Sequence, residues 1–200
     1  MEPQPRIEPA AWPASGALAQ AMAKLLPPGM QPPQLFLTVA RNEPLFRFMV
    51  DSGWIGPTGL FDRRSLPKAL REAVILRTCV ATRNDYEFNL HVQTISQRMG
   101  LSRAQVDDVR NPACDPSLWS GDLLAAIALA DALVRLDVDD ATFARARGHF
   151  GEAALVEITQ LAGLYVQVAM QVRLARPRFD AYRWREPVRT DPSTPGIAGR

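Results

Sequence analysis

Apolar residues recur along this chain at helical spacing. Phe88, Val92, Ile95 and Met99 stand at i, i+4, i+7 and i+11, one stripe of a helix expected from about Asn84 to Gly100. Leu123, Ile127, Ala130 and Val134 mark a second stripe. The stretch from Glu152 to about Arg176 is apolar around most of its circumference and stops at Pro177. Lys68 to Thr82 runs apolar behind Pro67, a residue that suits the start of a helix. Shorter apolar runs predict helices over 17–26, 35–40 and 44–50, the last opened by Asn42 as a cap. Two more are expected, from Ser102 to Arg110 and from an Asp140 cap to about Phe150. Gly53 to Leu66 and Asn111 to Ser117 read as loops. No stretch alternates with period two, and no Asn-Gly or Asp-Gly turn joins β-rich runs. The expected fold class is all-α.

Proline sets the outer boundaries. Eight of the 17 prolines fall within the first 33 residues, and proline is excluded from helix interiors. The organisation expected is a proline-rich arm with one short helix over 1–33, a helical domain over 34–185, and a disordered tail over 186–200. Met1 to about Pro13 reads as extended, either strapped onto a neighbouring subunit or disordered.

Composition narrows the partners. A chain of 200 residues that is 47% hydrophobic can build one domain with a core. Its net charge of +2 makes no global demand for nucleic acid or an anionic membrane. Arg173, Arg176, Arg178, Arg183 and Arg185 interleave with Phe179, Tyr182 and Trp184, and read as a solvated or subunit-contacting segment, not a nucleic-acid site. The apolar stretch 153–172 is broken by Glu157, Gln160, Gln167 and Gln171, so it is expected to be buried in protein and not in a membrane. Without a basic, then apolar, leader, a cytoplasmic location is expected. Cys79 and Cys114 are read as reduced thiols. Two histidines, His91 and His149, far apart in sequence, offer no metal-ligand spacing, and 53–59 lacks the lysine of a phosphate loop. No metal and no cofactor are expected.

Candidate chemistry lies where charge interrupts apolar helix. Glu72 and Arg77 sit in the 68–82 run, where an unpaired charge is costly; they face either each other or a wet pocket. Asn84, Glu87 and His91, at i, i+3 and i+7, share one helix face. Asn84 and Glu87 also fit a helix-capping box, and His91 also fits a satisfied core histidine. Tyr86 reads as packing with its hydroxyl at a pocket rim. A carboxylate and an imidazole one turn apart can exchange a proton, and burial can tune both.

The stretch Leu66-Pro-x-x-Leu70-Arg71-Glu72-x-x-Ile75-Leu76-Arg77, then Tyr86-Glu87-Phe88-x-x-His91, then Gly100-Leu101-Ser102 resembles the carboxymuconolactone decarboxylase family, which includes the alkylhydroperoxidase-D-like proteins. The resemblance implies an alkylhydroperoxidase-D-like helical bundle that is a homo-oligomer, a trimer or hexamer. In the peroxidase branch a glutamate precedes a Cys-x-x-Cys pair and a histidine. Those positions fall here on Glu72, Asn84, Glu87 and His91, so the glutamate and histidine match and the thiols do not. Peroxide chemistry needs a thiolate. The resemblance therefore implies the decarboxylase-like branch: a cofactor-independent lyase acting on a small organic acid, lactone or related carbonyl compound. In that reading His91 is the general acid/base, Glu72 and Glu87 orient it or relay its proton, and Arg77, Tyr86 and Asn84 contact substrate. The alternatives are a redox protein of the alkylhydroperoxidase type and a non-catalytic oligomer that binds a ligand.

Overall fold

A computed structural model describes residues 4–56, 59, 63, 65–180 and 182. The tail expected over 186–200 lies outside them. Nine α-helices and no strand occur among the described residues: α1 (Gly16–Leu25), α2 (Gln34–Val39), α3 (Glu43–Asp51), α4 (Lys68–Ala81), α5 (Asp85–Thr94), α6 (Arg103–Asp108), α7 (Gly121–Arg135), α8 (Asp140–Arg147) and α9 (Glu152–Ala175). The described residues are all-α, the expected class.

Side-chain caps open four of the nine helices, α3, α5, α6 and α8. Asn42 accepts from the Leu45 N–H to open α3, and Ser102 makes a reciprocal capping box with Gln105 at α6. The cap of α8 is Asp139, accepting from the Thr142 N–H, one residue before the expected Asp140. One length differs more. The Phe88 stripe predicts a helix to Met99, but α5 ends at Thr94 and the chain turns through Ile95–Gly100. Ser96 is buried in that turn with its hydroxyl on Glu72, and Gly100 closes it at φ 94°, a left-handed conformation glycine adopts without strain.

The main core lies where α4, α7 and α9 pack on one another, with α5 laid against α4 and α9 and α8 against α7 and α9. Val74, Leu76, Phe88, Ala126, Ile158 and Leu161 fill it. A second cluster, built from Leu18, Met22, Phe46 and Val50 of α1 and α3, joins the main body through α2 on α9. Over residues 6–12 the arm is held on the chain's own helices. The N–H groups of Arg6 and Ile7 donate to the Ala175 carbonyl at the end of α9, that of Ala10 donates to Leu37, and Trp12 packs on the second cluster. A helix end leaves carbonyls without partners, and this segment supplies one.

Helix α9 is long and apolar enough, by length and composition alone, to cross a membrane. Its Ile158, Leu161, Leu164, Tyr165 and Ala169 are buried in the chain. The expectation that it is covered on all sides does not hold within one chain: Val156, Met170 and Leu174 are exposed.

Candidate active site

Two helices bring the central pair together. Glu72 lies in the first half of α4, fully buried, and His91 in the last turn of α5. The His91 Nδ1 is 3.1 Å from both carboxylate oxygens of Glu72, and the Ser96 hydroxyl donates to Glu72 Oε1 at 2.6 Å. On the other side of the ring, Nε2 is 3.2 Å from the Tyr165 hydroxyl and 3.4 Å from Glu87 Oε1. The Tyr165 ring, from α9, stands edge-on to the imidazole.

The electrostatics follow from this crowding. Burial works against a charged imidazole, but the Glu72 carboxylate at Nδ1, helped by Glu87, outweighs it and lifts His91 to about 10. Burial likewise disfavours ionised Glu72, yet His91 and the Ser96 hydroxyl hold it below the usual carboxylate value. At neutral pH the pair is an imidazolium and a carboxylate. Both ring nitrogens then carry protons: Nδ1–H donates to Glu72 and Nε2–H is directed at Tyr165 and Glu87.

The pair opens on a cavity of about 380 Å³. Arg71, Glu72 and Ile75 of α4 line it, with Glu87 and His91 of α5 and Tyr165 of α9. Leu25 to Phe36 and the turn after α5 supply most of its remaining wall. Its size is that of an ordinary small-molecule site, roughly 300–1,000 Å³.

Of the six candidate residues, Glu72, Glu87 and His91 converge here and three do not line the cavity. Arg77 points into the α4–α7 contact: its Nε and Nη2 clasp the two Asp131 oxygens at 2.7 Å each, and its Nη1 donates to the carbonyls of Val109 and Asn111. It therefore pairs neither with Glu72 nor with a pocket ligand. Five residues at 3.6 per turn place it about 140° around the helix from Glu72. The Tyr86 hydroxyl donates to Asp180 and accepts from the Leu35 N–H at 3.0 Å, fastening α2 to the 176–180 segment. Asn84 caps α5, its Oδ1 accepting from the Glu87 N–H at 3.3 Å, and its buried Nδ2 finds no partner among the described residues. Only half of the expected capping box forms, because the Glu87 carboxylate turns toward His91.

The sequence pattern missed Tyr165, Ser96 and Arg71. Tyr165 is 74 positions from His91, and nothing local links them. Arg71 is buried on the cavity side, and its place four residues before Ile75 was the available signal.

Residues 57–132 match the family model described as carboxymuconolactone decarboxylase family. That stretch of the chain is similar to the family. The match holds α4, α5 and most of α7, and with them Glu72, Glu87 and His91. Comparison with curated proteins finds no match, and neither does comparison with solved structures. Among the described residues no group of three or more His, Cys, Asp or Glu is placed to hold a metal ion.

Proposed function

We propose that this protein belongs to the carboxymuconolactone decarboxylase family and is a cofactor-independent acid/base enzyme, a lyase acting on a small organic acid, lactone or related carbonyl compound. The observation that carries the reading is the buried Glu72–His91 pair, fixed at 3.1 Å, with both residues on the wall of the cavity. Glu72 holds the ring in one orientation and stabilises its charged form, as a carboxylate does for a histidine in other acid/base sites. Loss of CO₂ from a substrate leaves the bonding electron pair on carbon, spread onto an adjacent carbonyl oxygen. His91 Nε2–H delivers a proton to that carbon and the ring is reprotonated from solvent. The imidazolium, close to the developing enolate, also stabilises it. Arg71 is a buried cation on the cavity wall suited to a substrate carboxylate, the role first assigned to Arg77.

The redox alternative is disfavoured by the thiols. Cys79 is buried in the apolar core, and burial, with the nearby Glu87 and Glu72 charges, raises its thiol well above the ordinary value. A thiol so held is a poor nucleophile.

The test is a panel of β-keto acids and carboxylated lactones, followed by CO₂ release and by ¹H NMR. Turnover that vanishes in His91→Gln, and that falls as pH rises through about 10 where His91 loses its proton, supports the reading. Turnover indifferent to His91→Gln overturns it.

A further inference from the structure

The reactive groups occupy only one part of the cavity. Glu72, Glu87, His91, Arg71 and Tyr165 all come from α4, α5 and α9. The rest of the wall has a different source and character. Leu25, Leu26 and Pro27 at the end of α1, Met30 in the linker, and Leu35 and Phe36 of α2 form an apolar surface. Ile95 and Met99, in the turn after α5, extend it, with Arg98 exposed beside them. The α1–α2 segment lies outside residues 57–132, so the stretch that matches the family supplies only the Ile95 and Met99 side of this wall.

The wall is also fastened in place. The Leu35 N–H donates to the Tyr86 hydroxyl, and the Gln34 N–H donates to Asp180 Oδ1 at 2.9 Å. Asp180 in turn accepts from Tyr86, which ties α2, α5 and the 176–180 segment into one cluster. Phe36 packs against Phe46 with ring centroids 6.2 Å apart. A surface anchored on both sides is a preformed binding face.

We propose that the cavity takes an amphipathic ligand, an acyl or aryl compound with one carboxylate or carbonyl end at His91 and Arg71 and an apolar body against the α1–α2 wall. The segment 25–36 then sets substrate specificity, and small, wholly polar acids are poor ligands. A preformed apolar pocket with a few convergent polar groups is the usual form of a site for such molecules. The inference rests on the acid/base reading for its polar end alone; the apolar wall stands independently of it.

The experiment is isothermal titration of the full chain with straight-chain alkanoates from butanoate to decanoate at pH 7. Burial of each added methylene predicts a gain in affinity of about fourfold along the series until the wall is filled. The double variant Leu26→Gln/Met30→Gln flattens that gradient while keeping its helical signal and thermal midpoint. Affinity independent of chain length in the wild-type protein overturns the proposal. So does a full gradient in the folded double variant, since the chains would then be bound elsewhere. If the double variant does not fold, replacing hexanoate with its terminally hydroxylated analogue asks the same question of the intact protein: a loss of tenfold or more supports the proposal and equal binding refutes it. His91→Gln separates the two readings. A retained gradient with turnover unaffected removes the acid/base reading and leaves this one. Turnover of small polar acids that depends on His91, without any gradient, does the reverse.

Discussion

Replacing Glu72 with Gln isolates the interaction on which the site depends. The substitution keeps the shape of the side chain and removes its charge. Glu72 has no exposure and His91 almost none outside the cavity that both line, so solvent replaces the lost charge poorly. Removing one member of a buried ion pair typically costs about 3–5 kcal/mol, because the other is left charged and unpaired or must give up its proton. The second route is open to His91. Without Glu72, burial acts to lower its pKa and Glu87 is left to oppose it, so the ring titrates lower than in the wild-type protein. The pH dependence has a definite sign. His91 is raised from 6.5, so its contribution is complete below about 6.5 and is lost as pH rises through about 10. Glu72 is lowered from 4.5, so its contribution is present above about 4.5 and is lost as pH falls through its folded value. The wild-type advantage over Glu72→Gln is therefore greatest between about pH 4.5 and 6.5 and shrinks toward pH 10. Urea denaturation of both proteins across that range measures it, and ¹⁵N-detected imidazole shifts follow His91 directly. A difference under about 1 kcal/mol, or one that does not change with pH, refutes the reasoning, as does a wild-type His91 that titrates near 6.5.

Three further outcomes are expected. Arg77→Met loses the two-pronged contact with Asp131 and three carbonyl acceptors, and should lower stability by about 3 kcal/mol or more while leaving alkanoate affinity unchanged; a neutral denaturation midpoint, or weakened binding in the folded variant, contradicts its structural role. The purified protein should show no dithiol-dependent peroxide reduction, given a buried Cys79 and Asn84 and Glu87 at the positions of the family's paired thiols; steady peroxide turnover that Cys79→Ser abolishes defeats this. The exposed Val156, Met170 and Leu174 on α9, with Phe48 and Leu45 on α3, ask for cover by a second copy, and light scattering should give a multiple of 22.1 kDa, a trimer or hexamer; a mass of one chain at micromolar concentration removes the oligomer.

The fold class was written in local pattern. Apolar spacing marked α4, α7 and α9, and residues such as Asn42 and Ser102 fixed helix starts, because a cap or a stripe depends on neighbours within one or two turns. Glu72, Glu87 and His91 were legible for a related reason: a charge inside an apolar run needs a partner, and the resemblance named those positions. What sequence could not decide is which helix faces meet. Glu72 and Arg77 share one helix and the same apparent anomaly, yet one turns to α5 and the other to α7. That choice belongs to the packing of three helices around one core. The same holds for Tyr165, brought to His91 across 74 positions, and for Ser96, whose bond to Glu72 lies within the turn that follows α5 five residues before the stripe ends. Helical periodicity determines what each segment buries; only the closed tertiary structure determines against what, since contacts between distant segments leave no period in the chain.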